Sequence, residues 1–385
     1  MRLRLIILIS VLSTLFIFTY YRLHLLLNND GAAFSLTSLV LLLIVGWQVL
    51  HRIRPEVFDA RWFLVLAWTA SVTMGLWATF IMISLPVSLL EFFLGFFVDF
   101  GGMAGTSLAA TSAGIITALG FLTVVRGPHV KKIDINFADN SGRMPQSLKI
   151  AQLSDLHVGS TIRRSYVEEV VRRTNETEPD LIVLTGDFAD GEADLVFPAL
   201  QALQDLRSRF GVFYVTGNHE YYWGAEKLIT KLESLGIKAL INTHLPVTLG
   251  DARVMIAGVT DPAGKHFVRD HQPDLQKAVR TDTAFDFKIL LAHRPGVCVE
   301  AEKLDIDLQL SGHTHAGQFF PFSLLIPLAH RYYRGLNHHG KLQLYINPGT
   351  GYWGPPNRFT VASEITLLNC HFSSGSLAAG LQESQ

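Results

Sequence analysis

Seven side chains of metal-ligating type fall into five short clusters in the C-terminal part of the chain, each where an apolar, strand-like run gives out. They are Asp155 and His157 in Leu153-Ser154-Asp155-Leu156-His157, Asp187 in Thr185-Gly186-Asp187, Asn218 in Gly217-Asn218-His219-Glu220, His293 in Ala292-His293-Arg294-Pro295, and His313 and His315 in Gly312-His313-Thr314-His315. Oxygen and imidazole donors in this mixture suit borderline divalent metals, and two such metals a few ångströms apart are a standard device for phosphoester hydrolysis. Alternate residues on an extended backbone point the same way, so Asp155 and His157 are expected to project together, as are His313 and His315. Adjacent residues point apart, which lets Asn218 hold a metal while His219 turns towards a substrate oxygen. The small Gly186, Gly217 and Gly312 relax backbone limits where strands end in tight turns. A single buried histidine is more often a hydrogen-bonded core residue than a ligand; it is the ordered set that points to a metal site. His244, His266, His271, His330, His338 and His339 lack that support and are expected at the surface or the substrate rim.

Read as D-x-H, G-D, G-N-H-[DE], H and G-H-x-H in that order, the clusters closely resemble the calcineurin-like metallophosphoesterase superfamily, over roughly Leu148 to Leu368 and without a substituted ligand. The resemblance implies that Asp155, His157, Asp187 and His315 hold one metal, and that Asp187, Asn218, His293 and His313 hold the other, with Asp187 bridging. The ions would be manganese, iron or zinc. It further implies that a water between the cations attacks phosphorus in line, with His219 protonating the leaving oxygen or stabilising the transition state. Asp187 and Asn218 join His219 as the residues expected to carry catalysis.

The elements that must position these residues are short runs rich in β-branched residues: Ile150 to Leu153, Leu181 to Leu184, Val212 to Val215, Val254 to Val259, Ile289 to Leu291 and Ile306 to Leu310. Amphipathic helical stretches lie between several of them, at Arg164 to Thr174, Ala193 to Arg207 and Ala225 to Leu235. Strands alternating with helices predict an α/β layered domain with its site at the strand ends. The resemblance implies a four-layer αββα sandwich.

Before about Val125 the chain changes character. Four apolar segments are long enough to cross a bilayer: Leu3 to Tyr21, Phe34 to Leu50, Trp62 to Leu85 and Thr106 to Val125. No small-x-small cleavage site follows the first, so it reads as an anchor. Val87 to Phe100, Phe-rich but carrying Glu91 and Asp99, is expected to be interfacial or re-entrant. No ionisable residue is expected deep within the spans, which argues for anchoring over transport. Small residues at Ala104, Gly105, Ala109, Ala113 and Gly114 offer a face for close helix packing. The expected organisation is an all-α transmembrane region over 1–125, a linker over 126–147, the phosphoesterase domain over 148–370 and a flexible tail over 371–385.

Basic residues set the expected orientation. Arg2 and Arg4, then Arg52, Arg54 and Arg61, then Arg126, Lys131 and Lys132 alternate with loops holding only Arg22, which places the catalytic domain of an inner-membrane protein in the cytoplasm. The formal net charge of −1, with no basic tract beyond these flanks, gives nucleic-acid binding little support. Cys298 and Cys370 suggest no disulfide framework and are compatible with a reducing compartment. The apolar, aromatic segment Gly317 to Gly335 is read either as a lip touching lipid or as packing under the sheet. Arg294, Arg331, Arg334 and Arg358 are candidates to pair with phosphate oxygens.

Within the superfamily the chain is similar to the branch of transmembrane proteins with a metallophosphoesterase domain. Some relatives there are associated with hydrolysis of UDP-2,3-diacylglucosamine in lipid A synthesis, so the expected substrate is a lipid-linked phosphodiester or pyrophosphate and the expected partners are membrane lipids. A phosphoesterase for another phospholipid or a soluble phosphoester is the alternative enzyme, and a membrane sensor or scaffold is the alternative class.

Overall fold

The computed structural model describes residues 2–53, 59–95 and 102–374, and the side chains of 10–50, 59–95 and 102–373 among them. The chain forms two compact units: Met1–Val125 with Phe319–Leu324 and Gly354–Thr360, and Arg126–Gln318 with Leu325–Trp353 and Val361–Gln385.

The first unit is built on four long helices, α1 (Arg2–Leu27), α2 (Asp30–Ile53), α3 (Arg61–Leu94) and α4 (Gly102–Val125). All four are long and apolar enough to cross a membrane. A helix satisfies its own backbone hydrogen bonds, which hydrocarbon demands of any spanning segment. Along α4, Gly105, Ala109 and Ala113 are buried, and the two alanines pack against Phe80 and Ile81 of α3. Ala104 and Gly114, expected on the same face, are not buried.

One expectation fails here. The helical part of Val87 to Phe100 is not a separate interfacial segment, because α3 runs through Pro86 to Leu94; residues 96–100, Asp99 among them, lie outside the described set. Outside the expected spans, near the carboxyl ends of α1 and α3, Arg22 pairs with Glu91, with Ser88 as a second acceptor. Its place is made by Gly105, where a Cβ would lie 1.8 Å from Glu91 Oε1. Mutual pairing lets two ionised groups sit among apolar helices at which either alone would be expelled.

The second unit continues the chain with β1 (His129–Asp139), β2 (Ser147–Leu153), α5 (Arg164–Asn175), β3 (Leu181–Thr185), α6 (Ala193–Leu200), β4 (Val212–Val215), α7 (Asn218–Trp223) and α8 (Ala225–Glu233). There follow β5 (Lys238–Ala239), β6 (Thr243–Leu249), β7 (Ala252–Gly258), α9 (Leu275–Val279), β8 (Phe287–Leu291), α10 (Cys298–Lys303), β9 (Leu308–Ser311), α11 (Phe322–Ala329), β10 (Gly335–His339), β11 (Leu342–Ile346) and β12 (Glu364–Ser374). They make two six-stranded mixed sheets, ordered β1-β12-β2-β3-β4-β5 and β10-β11-β9-β8-β7-β6. One face of each sheet contributes alternate residues, Ile150, Val183 and Phe213 from the first and Val254, Ile289 and Leu310 from the second, to a shared buried core. The period of two along a strand selects those residues. The other face of the second sheet, through Met255, Leu290 and Leu344, packs under Leu275, Ala278, Cys298 and Ala301 of α9 and α10. On the first sheet's side, α5 buries Val167, Val170 and Val171, and α8 buries Leu228, Ile229 and Leu232. This is the αββα sandwich.

The expected linker is not one. Residues 129–139 form β1, which pairs in parallel with β12 and sends Ile133, Ile135 and Phe137 into the inter-sheet core. Charged Lys131, Lys132 and Asp134 mask this period-two pattern in the sequence. The expected tail begins late for the same reason: β12 reaches Ser374, and residues 375–385 lie outside the described set.

Candidate metal centre

Strands β2, β3 and β4 run parallel in the first sheet, and β7, β8 and β9 run parallel in the second, so the carboxyl ends of each group lie together. Asp155 follows the end of β2 by two residues, Asp187 that of β3, His293 that of β8 and His313 that of β9, while Asn218 follows β4 by three. Carboxyl ends of parallel strands are where open α/β sheets place their ligands.

The backbone leaving these strands is not extended. Asp155, His157, Asp187, His313 and His315 have φ of 52°, 53°, 56°, 73° and 49°, in the left-handed region that a residue with a Cβ enters at a cost. Side chains are aimed by these turns and not by strand alternation, contrary to the expectation for the two D-x-H-like pairs. Hydrogen bonds hold the turns in place: Asp155 N–H donates to Gly186 O at 2.9 Å, His157 N–H to Asp187 O at 3.0 Å, and Gly312 N–H to His293 O at 2.9 Å. Gly312 is required by proximity, since a Cβ there would lie 2.2 Å from Asp155 Oδ2; at Gly217 it would lie 2.1 Å from Asp187 Oδ1. Asn218 and His219 also differ from the expected extended pair, because they open α7, whose first turn directs His219 N–H to Asp187 Oδ1 at 2.8 Å.

Three groups result, each with its donor atoms within 4.8 Å of one another: Asp155, His157 and His315; Asp187, His293 and His313; and His157, Asp187 and His219. Imidazole nitrogens face one another directly, His157 Nε2 at 3.0 Å from His315 Nε2 and His293 Nε2 at 3.2 Å from His313 Nδ1. Converging lone pairs of this kind, joined by buried carboxylates, fit divalent cations. Asn218 is buried, with its Oδ1 at 3.5 Å from Arg294 Nη2. All seven expected ligands, and His219, are thus brought to the ends of the two sheets.

Residues 148–317 match the model of the calcineurin-like phosphoesterase family. An uncharacterized metallophosphoesterase of Aquifex aeolicus is 34% identical over 225 residues, which span 57% of this chain and 84% of that protein. The chain belongs to the calcineurin-like phosphoesterase family. A metallophosphoesterase of Helicobacter pylori J99 is 41% identical over 254 residues, 65% of either chain. The transmembrane protein with metallophosphoesterase domain of Danio rerio is 34% identical over 279 residues, 70% of this chain and 63% of that one. The match therefore spans under two thirds of the length of these last two relatives.

One residue of this metallophosphoesterase site escaped the sequence reading. The Oδ1 of Asp190 lies 3.1 Å from His157 Nδ1 and also contacts His219 Nδ1, so a single carboxylate oxygen orients a candidate ligand imidazole and the neighbouring histidine. The signal was present in Gly-Asp-Phe-Ala-Asp-Gly, a second carboxylate three residues after Asp187. Glu220 is the other organiser: its buried carboxylate accepts from the backbone N–H of Gly217, Asp187 and Phe188 at 2.7, 3.1 and 2.6 Å, tying the turn after β3 to the turn after β4. His293 is fixed from behind by Thr185 O, 2.7 Å from its Nδ1, which leaves Nε2 facing Asp187. Such outer partners set the tautomer and direction of a ligand.

The electrostatics follow from charges packed where water is scarce. Burial alone would raise the carboxyls of Asp155, Asp187 and Asp190, but facing imidazoles outweigh it and hold all three well below the usual carboxylate range. Burial opposes protonation of His219 and His293, yet Asp190 and Asp187 respectively overcome it and raise them to about 9 and about 10. His313 moves the other way, to about 3, through burial and the positive His293 and Arg294. Glu220 is lifted to about 7 by burial and by Asp187.

Of the remaining candidates, Arg294 lies at the site with Nε on Asp261 at 2.8 Å. Arg331 and Arg334 are exposed, whereas Arg358 is buried within the helical unit. His330 stands beside the site, its ring 6.1 Å from that of His313. His271 faces Tyr221 and His244 faces Ala278 O, away from the ligand groups. Both cysteines are buried and unpaired.

Proposed function

We propose that this chain is a membrane-anchored, dinuclear metal-dependent phosphoesterase acting on a phosphodiester or pyrophosphate bond, with a lipid-linked substrate of the UDP-2,3-diacylglucosamine kind. The observation that carries it is the pair of donor groups, Asp155-His157-His315 and Asp187-His293-His313, drawn from both sheets and bridged across by His157 and Asp187 in the third group. Asp155, His157, Asp187 and His315 would hold one divalent ion; Asp187, Asn218, His293 and His313 would hold the other, with manganese the proposed metal. When bound, such a pair supplies charge neutralisation at the phosphoryl oxygens and activation of a water nucleophile.

The rest of the work falls to the chain's own groups. Asp187 belongs to two of the donor groups, and its carboxylate is held by both oxygens, Oδ1 accepting from His219 N–H at 2.8 Å and Oδ2 lying 3.1 Å from His293 Nε2. His219 has Nδ1 committed to Asp190, which leaves Nε2, 4.0 Å from Asp187 Oδ2, directed into the site to give a proton to the leaving oxygen. Arg294, anchored by Asp261 and reaching Asn218, is placed to hold a phosphoryl oxygen beside the second set.

A lipid-linked substrate is supported by the four apolar helices, which tether the hydrolase to a bilayer. A cytoplasmic site is supported by Arg61 at the start of α3 and by Arg126, Lys131 and Lys132 after α4; the side chains of Arg2, Arg4 and Arg52, and the whole of Arg54, lie outside what the structure describes. The test is to incubate the full chain in nanodiscs with manganese and a panel of a UDP-linked diacyl sugar, common phospholipids and an aryl phosphodiester. Release of UMP and the acylated sugar phosphate is expected. Cleavage of the aryl diester or of phospholipids alone would overturn the substrate, and cleavage of nothing would make the chain a binding protein.

A further inference from the structure

Helix α11, Phe-Ser-Leu-Leu-Ile-Pro-Leu-Ala, contains no charged residue and buries none of its side chains. Leu324, Leu325 and Leu328 are 64%, 44% and 85% exposed. A contiguous apolar helix left uncovered marks a surface for a partner or a membrane.

Its amino end says which. Phe319–Leu324 belongs to the compact unit of the membrane-crossing helices, together with Gly354–Thr360. Phe320 N–H donates to Phe359 O at 3.1 Å, and the hydroxyls of Ser323 and Thr360 lie 3.3 Å apart. The 354–360 segment is in turn seated on α3 and α4. Arg358 N–H donates to Gly120 O at 3.2 Å, and two glycines form its notches: a Cβ at Gly120 would lie 1.7 Å from Asn357 Oδ1, and one at Gly75 would lie 2.9 Å from Pro355 Cβ. Gly75 and Gly120 stand opposite each other on these antiparallel helices, 16 residues along α3 and 15 along α4 from the level where Glu91 meets Gly105. At 1.5 Å per residue that is ~24 Å, most of a hydrocarbon core. The start of α11 is therefore held on the helical unit at a level ~24 Å along the helices from the Glu91–Gly105 contact.

Its carboxyl end carries a different chemistry. The last turn closes with His330 N–H on Ile326 O at 3.0 Å, and exposed Arg331 and Arg334 follow, with guanidinium carbons 5.2 and 5.6 Å from the rings of Tyr332 and Tyr333. Thr314 donates to Tyr333 O, and the ring of His330 is 6.1 Å from that of His313, so this stretch ends against the metal-ligand loop.

We propose that α11 is an interfacial helix, immersed through Leu324, Leu325 and Leu328 in the bilayer that α1 to α4 cross, with Arg331 and Arg334 at the lipid phosphates. An apolar face followed by tyrosines and arginines is what the acyl-to-headgroup boundary accepts.

The test uses the full chain in lipid nanodiscs, carrying a nitroxide at Leu328→Cys or, as a water-facing control on β6, at Leu245→Cys; unlabelled buried Cys298 and Cys370 are checked in the parent chain. Power-saturation measurements with oxygen and a nickel chelate are expected to put residue 328 ~5–10 Å below the phosphates, oxygen-accessible and nickel-protected, and residue 245 in water. Nickel access at 328 equal to that at 245, or exclusion of both relaxers by a second copy, would overturn the immersion.

Discussion

Asp190 provides the sharpest test of the site. Both of its imidazole contacts, to His157 and His219, use the same oxygen, Oδ1. Asp190→Ala therefore releases a proposed ligand and the proposed acid at once, and the two losses can be read separately. Removing the outer partner of a ligand histidine weakens metal binding by roughly 10- to 100-fold. Losing the orientation of a general acid costs roughly 10²- to 10⁴-fold in turnover. Asp190→Asn retains an oxygen at that position but not its charge, so its metal affinity and turnover are expected to lie between those of wild type and Asp190→Ala. The assay is manganese-dependent hydrolysis of an aryl phosphodiester by the full chain, fitted for the apparent metal affinity and for kcat at saturating metal. In a His219→Ala background, Asp190→Ala is expected to weaken the metal by the same factor while adding little to the loss of kcat, because its second partner is already gone. Wild-type metal affinity and kcat in Asp190→Ala would refute the reasoning. So would full additivity in the double variant.

His219→Ala is expected to keep both metals and lose roughly 10²- to 10⁴-fold in turnover, less on an aryl ester whose leaving group needs no proton; equal losses on both would show that it acts by charge or position. Asp187→Asn should lose at least one metal per chain and nearly all activity with the fold retained, and full activity with both metals bound would remove the bridging assignment. Asp307 is raised to about 6 by burial, above its ordinary 3.8, so its carboxylate opposes folding increasingly from about pH 4 to about pH 6 and fully above that. Asp307→Asn keeps an acceptor for Lys288 N–H and should raise the thermal midpoint at pH 8 by about 2 to 4 °C, for ~1 kcal/mol, with no gain below pH 4; a gain independent of pH would exclude this cause. A reporter active only in the cytoplasm, fused after Gln385, is expected to be active, and activity of an export-dependent reporter instead would move the substrate outside the cytoplasm.

What the sequence by itself determined was chemical identity and order. Asp155, His157, Asp187, Asn218, His293, His313 and His315 are legible because ligand chemistry admits few residue types and each stands just beyond a β-branched run. The four apolar helices are legible because hydrocarbon accepts little else over that length. Tertiary structure decided what depends on distant neighbours. Strand β1 was hidden because its partner β12 lies more than two hundred residues away and its exposed face is charged. The ion pair of Arg22 and Glu91 needed α1 and α3 side by side before either charge had a reason to be buried. Direction was decided in the same way: five of the candidate ligands leave their strands at positive φ, in turns hydrogen-bonded to a neighbouring strand's turn, so local alternation could not say where they point. Asp190 was an ordinary loop carboxylate in the sequence and acquired its role only when β2, β3 and α7 brought His157 and His219 to the same oxygen. Local composition specifies which groups are present, whereas the angle at which each meets another is set by contacts that exist only once the sheets have packed.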